Sequence, residues 1–358
     1  MVSGIYDADL GDLVAEPAKL IVSLNMQLYW GLKNRRRLDD CRADLLAARR
    51  AVPKLLKLFS SYGVRATWAP VGFLFCRSKD ELLDSLPARL PAYQDIERSP
   101  YSHIARIGDG EDDDPCHYAP SLIERIASAP GQEIASHTFA NFYCLEEGQS
   151  GDEFEADLRA AVDVARRRGI ILRSLIFPEN QIEPAYLEIC QRLGISAYRG
   201  NPQPWPYQPV SSARSTALAG DLRRWLRLLD AVAPITGTRC VSARTPLAGT
   251  PVNVPATRRF RPFAATNRWL SALQRRRIFG EMDDAAHRSG LFHLWFPLRD
   301  MGRRPPEQLD ELRRILDRFH GWRRLGRMES VTMHEVVMGR QWTDEPTHSS
   351  SSLRTTSP

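Results

Sequence analysis

The stretch SLNMQLYWG, residues 23–31, ends an apolar run with two amides, Asn25 and Gln27, placed two residues apart. Residues so spaced on a strand face one side, so both amides point at one place. Carboxylates there could run acid–base or metal chemistry, whereas amides can only donate and accept hydrogen bonds. Other apolar runs also end in polar groups. His137 and Asn141 follow EIAS, and Glu179, Asn180 and Gln181 follow LIFP. Arg199 and Asn201 follow SAY, and Arg299 and Asp300 follow LFHLWF. Glu179, His137 and Asp300 are the titratable members and the candidate catalytic residues. Arg199 and Arg299 are candidate anion holders, and Asn25, Gln27, Asn141 and Asn180 candidate neutral groups that position a substrate. Trp30 and Trp295, in an aromatic set with Tyr29, Trp68, Phe142 and Tyr143, offer ring or sugar stacking.

These residues need a frame that brings strand ends together. Strand-like runs alternate with helical ones almost throughout: KLIVSLN, then a helix over about 40–62 stopped by Gly63, then VRATWAP, QEIASHTF, LRSLIFP, ISAYRGN, PVNVPATRRFRP and LFHLWF. Such alternation predicts an α/β fold with a parallel sheet, covered on both faces or closed into a barrel. In a barrel the reactive groups gather just after the strands. A Pro- and acid-rich excursion fills 87–115, and His103 and His117, near it, read as surface residues. His293, inside LFHLWF, reads as a core histidine. Segment 202–216 reads as a loop, followed by a helix GDLRRWLRLLDAVA. Residues 1–18 read as an N-terminal extension, 19–340 as the (β/α) domain and 341–358 as a disordered tail.

A net charge of +6 over 358 residues is a modest basic surplus. Its arginine clusters, including Arg35–Arg37, sit in helical patterns beside acids or read as solvated faces, so no nucleic-acid partner is expected. The apolar runs are too short to span a bilayer, which needs roughly 20 residues. No basic n-region followed by an apolar h-region opens the chain. The six cysteines are scattered with no CxxC pair, which fits buried thiols in a reduced cytoplasm.

The motifs SLNMQLYWG, TWAPVGFLF, DPCHYAPSLI, GQEIASHTFANFYCLE, FPENQ, YRGN, PATRRFRP and FHLWF run in an order that resembles the polysaccharide deacetylases, and more narrowly their bacterial NodB-homology branch. The resemblance covers about 19–337 and implies a distorted (β/α) barrel. It also implies metal-assisted amide hydrolysis, with a divalent cation on a carboxylate and two histidines, a carboxylate base and a histidine acid. By that resemblance the base falls on Asn25, the carboxylate ligand on Gln27, the histidine pair on His137 and Asn141, and the arginine that steadies the base on Glu179. Pro297 stands where the acid histidine is expected. An amide takes up no proton near neutral pH, and one histidine with two amides is a poor zinc site.

The chain therefore reads as a deacetylase frame without the deacetylase machinery. The first reading is a repurposed enzyme of a biosynthetic pathway, running acid–base chemistry on a small molecule or glycan with no metal. A second is a non-catalytic binder of a glycan, metabolite or partner protein. A third is residual deacetylation of an N-acetylated sugar, with zinc or a similar cation recruited by His137, Glu179 and Asp300.

Overall fold

A computed structural model describes residues 16–202, 249–262 and 268–341, together with 204, 207, 222–223, 225–226, 229–230 and 240–242. The expected N-terminal extension and tail, and most of the GDLRRWLRLLDAVA helix, lie outside these residues. Among the described residues no helix is long and apolar enough to cross a membrane. All six cysteines are free thiols, five of them buried.

The near-continuous apolar run of β1 (Ala18–Met26) is what a strand covered on both faces requires. It pairs in parallel with β2 (Ala66–Pro70), β9 (Gly290–Pro297) and β10 (Met328–Ser330). β3 (Gln132–Ile134) adds to β2, β8 (Arg258–Arg259) to β9, and the short antiparallel β6 (Val241–Ser242) also joins β9. A second, fully parallel sheet runs β4 (Ser174–Leu175), β5 (Ala197–Gly200), β7 (Val252–Pro255). The sheets meet through one bridge, Ser136 to Leu175, and the chain passes from the second to the first between β7 and β8. Among the described residues the result is a mixed α/β fold with mostly parallel sheets, in which β3, β4 and β8 are only two or three residues long.

Helices cover the sheets as the sequence pattern requires. Gly63 ends the helix Arg42–Tyr62 in a left-handed cap, φ 62°, its N–H reaching the carbonyls of Phe59 and Ser60. Ser150 and Glu153 form a reciprocal capping box on the helix Gly151–Arg167. The excursion folds into short 3₁₀ turns, Ile96–Arg98 and Tyr101–Arg106.

Alternation along the strands sorts their side chains into two sets. Leu20, Val22 and Leu24 of β1, with Phe292, Leu294 and Phe296 of β9, join the large helix-facing core. Ile21, Leu291 and Ala197 join a smaller cluster that also takes Ile176, Val252 and Val254, and so draws on both sheets. The residues that continue this second set toward the strand ends are polar: Ser23 and Asn25 on β1, His293 and Trp295 on β9, Arg199 on β5. Register places Ile21 beside His293, Ser23 beside Trp295 and Asn25 beside Pro297. An apolar base with a polar top is thus fixed by period-two geometry.

Candidate functional site: an arginine-centred pocket at the strand ends

The polar set lies at a cavity of about 540 Å³, lined among others by Asn25, Gln27, Glu179, Asn180, Asn201, Trp295, Pro297 and Arg299. Residues from β1, β4, β5, β8 and β9 or their exits meet here, as the strand-end argument expects. Sequence distance hides one feature: both amides of the opening motif are held by guanidiniums.

Arg199 Nη1 donates to Asn25 Oδ1 at 2.9 Å and to Ser23 Oγ at 3.1 Å, and its Nη2 donates to Asn180 Oδ1 at 3.0 Å. A guanidinium has no acceptor, so each amide must turn its oxygen toward it. Arg299 Nη1 donates to Gln27 Oε1 at 2.8 Å, and Gln27 Nε2 donates to Asn141 Oδ1 at 2.6 Å. Asn141 Nδ2 in turn donates to Tyr143 Oη at 2.8 Å. Gly31 permits this arrangement, since a Cβ there would stand 2.6 Å from Gln27 Oε1.

Arg199 is only 2% exposed and has no carboxylate partner, and Arg299 has none within ion-pair distance among the described residues. Burial, and next the charge of Arg259, lowers the Arg199 pKa to about 9. Burial likewise lowers that of Arg299. Taking a cation out of water without an anion is costly, so Arg199 is an electrostatic liability in the free protein, and for Arg299 the charges of Asp300 and Glu179 offset part of that cost. The guanidinium of Arg199 lies 4.4 Å from the Trp295 ring centre and that of Arg259 lies 5.5 Å from it. The indole therefore serves cations. Its expected role as a sugar platform competes with both.

The three candidate proton carriers fare differently. Glu179 lines the cavity and pairs with Arg35 at 2.9 Å. Asp300 lies behind the lining, tied to Arg259 at 2.6 Å. His137 is fully buried and outside the lining. One of its ring nitrogens, Nδ1, sits 2.6 Å from the carbonyl of Ile176, which can only accept, so Nδ1 carries the proton. Nε2 is then a buried lone pair with no partner. Burial, followed by the charges of Arg199 and Arg299, lowers the His137 pKa to about 3, so the ring stays neutral near pH 7.

Trp30 does not reach the cavity. Its indole packs against Phe73, His103 and His117 and donates to the carbonyl of His117. The cause is the 3₁₀ turn Leu28–Gly31, which breaks the strand period and turns the ring into the core. Trp68, Phe142 and Tyr143 are core residues too, and Tyr29 packs on the same histidines. His117 is not a surface residue: it is buried in a chain from Asp114 through His117 to His103. Arg35, Arg261 and Tyr207 line the cavity. Arg35 is exposed, as a solvated face requires, and it also pairs with Glu179, which nothing near it in sequence signals. Arg258, Arg259 and Arg261 alternate along one extended run; Arg259 and Arg261 share a parity and both line the cavity, while Arg258 points into a buried ion cluster.

Backbone geometry marks the same place. Among the described residues seven non-glycines have positive φ, and five of them (Leu28, Thr138, Asn141, Glu179 and Asn180) follow strand ends around the cavity. Asparagine tolerates this conformation, but leucine, threonine and glutamate are strained in it at roughly 1–3 kcal/mol each.

The donor set does not suit a divalent cation. Asn25 and Gln27 have their oxygens engaged by guanidiniums, Asn141 is committed at both ends, and Glu179 and Asp300 each bind an arginine. Only His137 Nε2 is an open donor, and a cation bound there would face Arg199 and Arg299. Among the described residues no three His, Cys, Asp or Glu side chains are grouped to hold a metal.

No protein-family model and no curated protein sequence matches the chain. Solved structures do. A protein from Mycobacterium smegmatis described as a polysaccharide deacetylase superposes over 95% of this chain and 99% of its own, with a TM-score of 0.53 at 14% identity. Puue allantoinase superposes over 91% and 92%, with a TM-score of 0.52 at 11% identity. BA3943 of Bacillus anthracis, a CE4 family pseudoenzyme, covers 90% of this chain and 66% of its own at 11% identity, with a TM-score of 0.40. At such identities the likeness is one of fold: the chain has the architecture found in polysaccharide deacetylases.

Proposed function

We propose that this chain is a polysaccharide-deacetylase-like protein in a distorted (β/α) barrel frame, and that its pocket works without the metal machinery as a recognition site for an anionic small molecule or glycan. The observation that carries this reading is the buried Arg199 and the half-buried Arg299, held by neutral amides at the positions where the deacetylase resemblance puts the base and a metal ligand. Exchange of two acids for amides keeps shape and hydrogen-bonding reach, and leaves two positive charges for a ligand to satisfy. Two tests bear on it directly. Purified protein should carry no stoichiometric zinc, cobalt or nickel by elemental analysis. It should also release no acetate from chitooligosaccharides with or without added metal. About one tightly bound metal per chain, or chelator-sensitive acetate release, would contradict it.

Metal-independent acid–base turnover is the stronger of two extensions, because Glu179 is both strained and the carboxylate of the cavity lining. Its route is through Glu179, since His137 is too weakly basic at neutral pH and Asp300 is bound to Arg259. The competing extension, a binder with no turnover, draws on the Arg35–Glu179 ion pair, which occupies that carboxylate. Glu179→Gln separates them once a ligand is known. General acid–base catalysis contributes about 10²–10⁴-fold, so turnover should fall by that factor in an enzyme. A binder should lose at most one charged contact.

A further inference from the structure

The charges around the pocket can be balanced one pair at a time. Arg35 is matched by Glu179 and Arg259 by Asp300. Arg199 and Arg299 are matched by oxygens of neutral groups only. Among these four arginines two positive charges are left over. A second observation locates the side from which they are to be met. Arg259 lines the cavity, and among the described residues only its Nη2 is bonded, to Asp300. Arg299 also lines the cavity, and among the described residues only its Nη1 is bonded, to Gln27. Two guanidinium forks therefore present donors to one cavity, above a third guanidinium that is sealed beneath it.

We infer that the ligand carries a dianionic phosphoryl group, which binds between Arg299 and Arg259 with Arg199 beneath supplying the second compensating charge. This rests on the anion-pocket reading above and narrows it to a chemical class: a phosphate monoester, whether of a sugar or of another small metabolite. A carboxylate brings one negative charge and two acceptor oxygens, which leaves one guanidinium uncompensated. A phosphate monoester has three acceptor oxygens, and a second pKa of about 6 makes it largely dianionic at neutral pH. Arginine forks suit such tetrahedral oxyanions through paired N–H donors. A sulfate monoester has the same shape with one charge fewer. Shape and charge can therefore be separated.

The test is calorimetric titration of the full chain at pH 7.5 in phosphate-free buffer with methyl phosphate, methyl sulfate and glucuronate. Methyl phosphate should bind at least tenfold more tightly than either monoanion. Its affinity should fall by close to tenfold per pH unit below about pH 6, as it becomes a monoanion. Arg299→Gln should weaken it at least tenfold, and Arg166→Gln, on an exposed helix face, should leave it unchanged. Should Arg299→Gln fold poorly, Asn25→Asp supplies a second reading, because a carboxylate beside Arg199 should also weaken methyl phosphate at least tenfold. Methyl sulfate or glucuronate binding as tightly as methyl phosphate, with the same loss in Arg299→Gln, would overturn the phosphoryl assignment and leave the anion pocket standing. No binding by any of the three would remove both.

Discussion

Two buried arginines, Arg258 on β8 and Arg199 on β5, solve the same electrostatic problem in opposite ways. Arg258 is 5% exposed and bonds Glu281 through Nε and Nη2 and Asp230 through Nη1. Burial pulls its pKa down, but the bonds and charges of Glu281 and Asp230 win, and the pKa ends above the ordinary value. Arg199 is slightly more buried, bonds a serine and two asparagines and lies over the Trp295 ring, and its pKa falls to about 9. One arginine is compensated within the fold, as a structural ion cluster should be. The other is solvated by dipoles beneath the cavity, with no carboxylate bonded to it among the described residues. A protein that needed Arg199 only for stability would have little reason to withhold a carboxylate, since Asn25 is one atom exchange from aspartate and already at bonding distance.

The comparison can be broken first on the compensated side. Glu281→Gln leaves Arg258, and Arg277 at 3.3 Å, beside a neutral amide in a buried site. Arg258 keeps Asp230 as a partner, so urea denaturation should show a loss up to the about 3–5 kcal/mol that breaking a buried pair costs. Next, Asn25→Asp should make Arg199 resemble Arg258. A hydrogen bond to a charged group contributes about 1.5–3 kcal/mol, so the variant should gain stability of that order while its anion affinity falls. The same logic bears on restoring the base and metal-ligand groups that the resemblance implies, with Asn25→Asp, Gln27→Glu and Asn141→His. Both new carboxylates would pair with Arg199 and Arg299, so the triple variant should stay metal-poor in elemental analysis until those arginines are also replaced.

Acid provides a milder perturbation. Burial holds His137 and His293 neutral, each with a pKa of about 3, so below about pH 6.5 the unfolded chain takes up two protons that the folded chain refuses. Asp157 opposes them: burial raises its pKa to about 7, so from pH 7 down toward 4 the folded chain holds one proton that the unfolded chain lacks. These three groups leave one proton in favour of the unfolded state, and His103, whose pKa burial lowers to about 4, acts in the same direction. Stability should therefore decline by at least about 1.4 kcal/mol per pH unit between pH 6 and 4, read as a falling urea midpoint. Rising stability over that window would show that the two imidazoles are charged in the fold. The smallest effect belongs to Arg199→Met. Relief of an uncompensated charge and loss of donors to Ser23, Asn25 and Asn180 act in opposite directions. Ser23 keeps His293 as a partner, and Asn25 and Asn180 border the cavity. Stability should stay within about 1 kcal/mol of wild type.

Much of this arrangement was legible in the sequence. Strand and helix periods gave the alternation, and period two put Ser23 and Asn25 on one side. The polar residues after five apolar runs pointed to one end of the sheets. Short-range reasoning stopped where the chain left regular structure. Gln27 lies just past β1 in helical φ/ψ, and Leu28 follows at φ 46°, so Trp30 is rotated into the core. Pairings across long separations were not legible at all. Arg199 and Asn25 are 174 residues apart, and Arg299 and Gln27 are 272 apart. Local patterning carries no information on which guanidinium will meet which amide. The same holds for Arg35, whose neighbours in sequence suggest a solvated face while its tertiary partner is Glu179.

The most direct test of an anion pocket built on a deacetylase frame is the melting temperature of the wild-type chain, followed in separate titrations with inorganic phosphate and with zinc. A ligand that binds only the folded state at 100 times its Kd adds about 2.7 kcal/mol, which is a shift of several degrees. The expected result is a saturable rise with phosphate that is lost in Arg299→Gln, with no response to zinc or to chelator. A saturable, chelator-reversible rise with zinc, and none with phosphate, would contradict it.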